Sequence, residues 1–144
     1  MVTEVDRFLE SMLPRQLAAE HALCQGDAAP RSDTWSQSDP ITLFGAAVPV
    51  RSGWDDVSGV FDWLAGRFTE LRDYRFELVA AGASADLAYT AGFEHKTVVI
   101  DGHEVTYTLR VTHVYRREDG VWKIVHRHGD RFREADIPEL RPTP

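Results

Sequence analysis

Two long alternating stretches near the C-terminal end constrain this chain most: Glu104 to Arg117 and Val121 to Phe132, joined by Glu118-Asp119-Gly120. In the first, Val105, Tyr107, Leu109, Val111, His113 and Tyr115 alternate with Thr106, Thr108, Arg110 and Thr112. A period of two places one set on one face of a strand and the other set on the opposite face. In the second stretch Trp122, Ile124, His126 and His128 alternate with Lys123, Val125 and Arg127. A turn as tight as Asp119-Gly120 makes the two strands antiparallel neighbours. Their apolar faces then need a covering layer.

Helices supply that layer. Thr3-Glu4-Val5-Asp6 reads as a helix start, with a hydroxyl at the cap and a carboxylate three residues on. The helix is expected to reach about Gln25, kinked or split at Pro14, with Phe8, Leu9, Met12, Leu13, Leu17 and His21 as its inward stripe. Met12, Gln16, Glu20 and Cys24 make no clean apolar stripe. Ala28 to Ser38 leaves room for a short helix carrying Trp35, and Asp39 to Phe44 reads as a short strand with Pro40 at its start. Ser52-Gly53-Trp54-Asp55 opens another helix, expected through about Leu71, with Val57, Val60, Phe61, Leu64 and Phe68 at three- and four-residue steps. Strands are expected over Tyr74 to Ala81 and Leu87 to Ile100, with turns at Gly82 to Asp86 and Asp101-Gly102.

The class is therefore α+β, with N-terminal helices packed on one face of a strongly curved antiparallel β-sheet. A chain of 144 residues is most simply one domain, expected over residues 1–134, followed by a Pro-containing tail at 135–144.

Charge narrows the partners. Sixteen basic residues against 23 acidic ones give a formal charge of -7, and the basic residues are scattered rather than clustered. Neither nucleic acid nor an anionic membrane surface is an expected partner. Apolar runs fall far short of the roughly 20 residues that span a bilayer, and no basic-then-apolar leader opens the chain, so a soluble, cytoplasmic protein is expected. The lone Cys24 allows neither an internal disulfide nor a multi-cysteine zinc site.

The order of elements resembles the superfamily of ketosteroid isomerase and nuclear transport factor two, which includes SnoaL-like polyketide cyclases. Asp39-Pro40-Ile41-Thr42-Leu43-Phe44-Gly45 with Arg51-Ser52-Gly53-Trp54, the stretch Asp86 to Thr90, and Tyr115 to His128 carry the resemblance. It implies a cystatin-like fold, a conical pocket between sheet and helices, and a homodimer formed through the sheet. Activity does not follow from fold, because the superfamily hosts isomerases, cyclases, hydrolases, dehydratases and binding domains.

Asp39 is the first catalytic candidate. In the isomerases, the carboxylate of a similar Asp-Pro moves a proton between substrate carbons, and apolar walls such as Trp35, Phe44 and Trp54 would raise its pKa. The plainer alternative makes Ser38-Asp39-Pro40 a turn. Those isomerases place a tyrosine on the first helix, where Leu17 to His21 has none, and an aspartic acid where this chain has Thr112 and His113. Symmetric pairing about Asp119-Gly120 brings His113 near His126, so both, with Tyr107, are expected in one cavity as acid, base or oxyanion donors. Trp122 and His128 complete the expected pocket. Glu94, at opposite parity from Tyr89 and Phe93, is expected to face solvent unless a bulge near Gly92 turns it inward, where it would be a weak alternative base. No cofactor and no metal are expected, since the histidines lack a completing carboxylate.

The expected function is a cofactor-independent isomerase or polyketide-cyclase-like enzyme acting on a small, mostly apolar carbonyl compound. The alternative is a non-catalytic homodimeric module that holds such a small apolar molecule in the same cavity.

Overall fold

A computed structural model describes residues 1–131. Phe132, the expected domain boundary at 134 and the tail 135–144 lie outside the described residues. The elements are α1 (Glu4–Leu23), α2 (Ala29–Thr34), β1 (Thr42–Phe44), β2 (Arg51–Ser52), α3 (Trp54–Arg67), β3 (Phe68–Ser84), β4 (Leu87–Ile100), β5 (His103–Glu118) and β6 (Val121–Arg131). They form the expected α+β arrangement, with one sheet in the order β2-β1-β6-β5-β4-β3. Among the described strands β1 runs parallel to β6, and Trp35 makes an isolated parallel bridge to Ile124, so the sheet is mixed.

Local chemistry accounts for most boundaries. Thr3 Oγ1 accepts from the Asp6 amide at 3.2 Å while the Asp6 carboxylate accepts from the Thr3 amide at 3.0 Å, closing a capping box at the start of α1. The helix is one element through Pro14, not split there, and ends at Leu23. α3 starts at Gly53, whose φ of 86° suits glycine, and no side chain caps it. It stops at Arg67 rather than Leu71, because the chain passes directly into β3, which begins at Phe68 and not at Tyr74. The turns Asp101-Gly102 and Asp119-Gly120 have positive φ at both residues, the geometry of a two-residue hairpin.

Two registers decide what faces inward. Residues directly opposite in an antiparallel ladder share a face. Across β4 and β5, His113 meets Thr90, Leu109 meets Glu94 and Tyr107 meets Lys96, so the even positions of β4 point to the helices. The expected solvent position of Glu94 is thus corrected: it is 0% exposed, with no bulge in β4 opposite β5 to turn it.

Across β5 and β6, Tyr115 meets Ile124 but Val114 meets His126, which leaves Val125 as an extra residue. That bulge reverses the parity of β6 beyond it. Trp122 and Ile124 face inward before it; Arg127 and Gly129 do so after it.

The interior is layered along the cone. Phe8, Met12, Trp35, Ile41, Val57, Phe61, Tyr115, Trp122 and Ile124 fill one end, and Leu23, Cys24, Ala65, Phe68 and Val98 the other. Between them α1 contributes Gln16 and Glu20, β4 contributes Thr90, Glu94 and Lys96, and the strands of the last hairpin contribute His113 and Arg127, all buried. The buried side of α1 is therefore Phe8, Met12, Gln16, Ala19, Glu20 and Leu23, with Cys24 after them. Leu17, expected inside, is 42% exposed. A polar belt crosses the core where an apolar stripe was expected.

Candidate ligand-binding site

Within the belt every carboxylate is held by a guanidinium. Arg127 donates from Nη1 to Glu94 Oε2 at 2.9 Å and from Nη2 to Oε1 at 2.8 Å. The Tyr74 hydroxyl adds a third bond to Glu94 Oε2 at 3.0 Å. On the helical side, Arg31 of α2 donates to both oxygens of Glu20 at 3.0 and 2.8 Å. Such two-bond forks are among the strongest polar contacts, and buried charges persist only when paired this way. Burial alone would raise the Glu94 carboxyl, but Arg127 and Lys96 outweigh it and hold the group well below the usual carboxylate range.

His113 sits behind this fork. Its Nε2 lies 3.3 Å from Arg127 Nη1 and its Nδ1 lies 3.4 Å from the Gln16 side-chain nitrogen. A guanidinium and an amide nitrogen both only donate, and a neutral imidazole accepts at one nitrogen, so the ring accepts from Arg127 or from Gln16 but not from both. Burial first, then the Arg127 charge, pushes the imidazole well below its usual value, so it is neutral at pH 7. Tyr115 donates to Gln16 Oε1 and shares a hydrogen bond with Thr90 at 3.0 Å, extending the chain of contacts to the apolar end.

A cavity of about 270 Å³ opens beside the belt. Leu23, Leu43, Val48, Val60, Leu64 and Leu109 form its apolar wall, and Arg31, Lys96, Tyr107 and Arg127 its polar floor. No Asp or Glu lines it among the described residues. Arg67, at its edge, pairs with Asp101 at 3.1 Å, and Arg131 lies 5.2 Å from the Tyr107 ring. Burial raises the Tyr107 phenol, which stays a neutral donor.

The sequence-derived residues divide sharply against this cavity. Tyr107 lines it. Asp39 is exposed and outside it, near Gly53, with a cis peptide bond to Pro40. His113 is sealed behind Arg127 and Gln16. His126 is corrected to the opposite face from His113 by the Val125 bulge; its Nδ1 is 2.7 Å from Thr42 Oγ1. Phe44 and His128 share that outer face: the Phe44 ring lies 5.0 Å from His126 and 5.6 Å from His128, and both Phe44 and His128 are exposed. Trp35 and Trp122 are core residues, Trp35 packed 5.2 Å from Phe61 and Trp122 5.1 Å from Phe8, and Trp54 packs on the same core.

Sequence reasoning missed Lys96, Arg127 and Arg31. A polar residue at every second position of a strand otherwise fit to be buried, as with Thr90, Glu94 and Lys96, was the available signal.

The described residues hold no cluster of three or more His, Cys, Asp or Glu side chains able to grip a metal ion. No helix among them is long and apolar enough to cross a membrane.

Helices on a curled mixed sheet around a conical cavity define the fold of the nuclear transport factor two-like proteins. Residues 18–129 match the model of the SnoaL-like domain, and the chain belongs to that family. Among solved structures, a ketosteroid isomerase-like protein from Erwinia carotovora atroseptica superposes with a TM-score of 0.71 at 17% identity, covering 87% of this chain and 96% of that one. An NTF2-like protein of unknown function from Pseudomonas putida gives 0.68 at 19% identity over 96% and 99% of the two chains. An NTF2-like protein with a cystatin-like fold from Novosphingobium aromaticivorans gives 0.63 at 16% identity over 94% and 92%. At these identities the likeness shows the fold alone. No curated protein sequence shows a significant match to this chain.

Proposed function

We propose that this chain is a cytoplasmic, homodimeric binding module that takes a small, mostly apolar carbonyl compound into its conical cavity. One observation carries the choice over an enzyme: the cavity wall is apolar and the charged groups on it are all cations, with no carboxylate among the described residues to act as a base. Proton abstraction beside a carbonyl needs a base within hydrogen-bond reach. Asp39 is exposed outside the cavity, and Glu94 is saturated by Arg127 and Tyr74. A dimer through the sheet is supported by Leu87 and Tyr89, 58% and 45% exposed on the outer face beside exposed Thr106 and Thr112.

One observation favours the isomerase or cyclase reading. Lys96 and Tyr107 both line the cavity and could hold a developing oxyanion. Thermal-shift screening of small carbonyl compounds, followed by chemical analysis of each hit, separates the two. A binding module returns its ligand unchanged, and Asp39→Asn leaves the affinity intact. Conversion of a hit, with turnover falling roughly 10² to 10⁴-fold in Asp39→Asn, establishes the enzyme instead.

A further inference from the structure

The buried charges of the described residues do not balance. Among the described residues, Glu20 and Glu94 are the buried carboxylates, whereas Arg31, Lys96 and Arg127 are the buried cations. Each guanidinium has a carboxylate of its own through two hydrogen bonds. Lys96 has none. Its closest carboxylate oxygen is Glu94 Oε1 at 3.5 Å, beyond good hydrogen-bond length, and that oxygen already accepts from Arg127 at 2.8 Å.

Lys96 is 4% exposed, and its ammonium lies among rings, 5.8 Å from the centroid of Phe68, 5.6 Å from Tyr74 and 6.0 Å from Tyr107. Rings stabilise the charge but leave its N–H donors unmet, because an ammonium carries three donors and a ring face accepts weakly. The side chain lines the cavity, as does Tyr107. Although burial alone would lower its pKa, Glu94 and its other neighbours hold Lys96 above the usual value, so it carries its charge at neutral pH.

We infer that the cavity selects a small apolar molecule bearing a carboxylate, whose anionic group is received by Lys96 at the cavity floor beside the Tyr107 hydroxyl. This rests on the reading of the cavity as a binding site and names the class of ligand for it. The carboxylate supplies both the missing charge and the missing acceptor for the ammonium. The apolar remainder lies against Leu43, Val60, Leu64 and Leu109. A neutral amide or alcohol of the same shape offers the ammonium an acceptor but no charge, and a hydrogen bond between two ionised groups is stronger than one to a neutral oxygen.

The test uses the full chain and three probes of one shape: 4-phenylbutanoate, 4-phenylbutanamide and 4-phenylbutan-1-ol, titrated by calorimetry at pH 7. The carboxylate is expected to bind at least tenfold more tightly than the amide or the alcohol. Lys96→Met keeps the length of the side chain and removes its charge. In that variant the carboxylate should fall to the affinity of the amide, while amide affinity stays as in the wild type. The ligand-free melting temperature of Lys96→Met should not drop, since the fork between Arg127 and Glu94 remains and an unbalanced buried charge is gone. Equal affinity for the three probes in the wild type overturns the inference and leaves the cavity reading standing. Failure of all three to bind overturns both. A Lys96→Met protein that unfolds or melts lower assigns Lys96 to the support of Glu94 and overturns the inference, as does a carboxylate preference that survives the substitution.

Discussion

Arg127 and Glu94, 33 residues apart in the chain, meet inside the sheet as two parallel hydrogen bonds of 2.9 and 2.8 Å, with Glu94 wholly buried. Removing either partner strands the other, but the two losses are unequal. Glu94→Gln leaves both Arg127 and Lys96 without a carboxylate and is expected to cost about 3–5 kcal/mol. Arg127→Met leaves Glu94 with Lys96 and is expected to cost less. Urea unfolding of the two variants side by side checks the order.

Acid should weaken the fold in two steps. Burial and the Arg127 charge depress the His113 imidazole, and the Arg127 and Lys96 charges, outweighing burial, depress the Glu94 carboxyl. In both cases the unfolded chain takes up the proton first. Stability is therefore complete above the unfolded pKa and is lost as pH falls toward the folded one. The His113 loss begins near pH ~6.5 and the Glu94 loss near pH ~4.5. Between pH 6.5 and 5, protonation of the unfolded chain at His113 should lower stability steadily. His113→Gln should flatten the profile from pH 7 to 5 and keep the fall below 4.5, measured by urea unfolding across that range.

Adjacent positions of α1 should respond against their hydrophobicity. Gln16 accepts from Tyr115 and touches His113, whereas Leu17 is 42% exposed. Gln16→Leu removes the acceptor of the buried Tyr115 phenol and is expected to cost roughly 1–3 kcal/mol. Leu17→Lys should fall within about 0.5 kcal/mol of the wild type. Thermal melting of the pair decides, and a costlier Leu17→Lys contradicts the orientation of α1.

Gly92 faces β3 where its pairing slips between Leu78 and Ala80. A Cβ there would stand 2.2 Å from the Glu77 carbonyl oxygen and 3.0 Å from the Phe76 ring. Backbone cannot yield as a flexible side chain does, so Gly92→Ala is expected to cost about 3 kcal/mol, near the upper end of overpacking penalties. Gly102→Ala, with open space around its Cβ, is the comparison: its cost should come from positive φ alone and be smaller, about 1 kcal/mol.

What the sequence determined by itself are the features that act within a few residues. The Thr3 box, the stripe of α3 from Val57 to Phe61, and the Asp-Gly turns all formed where their local chemistry places them. Together with the alternation of the last hairpin they suffice for the α+β class and the curved sheet. The inner face of each element was decided only in three dimensions. One extra residue, Val125, exchanges His126 for Arg127, because the side-chain period of a strand is two and a single insertion reverses it. Glu94 and Glu20 can be buried only because Arg127 and Arg31 reach them, and neither pairing leaves a mark in the hydrophobic pattern of β4 or α1. The candidate site followed the same rule. Tyr107 was legible from its parity, whereas Lys96 became a cavity residue only when the tertiary structure gave both buried carboxylates to arginines in two-bond forks and left it a longer, shared contact with Glu94.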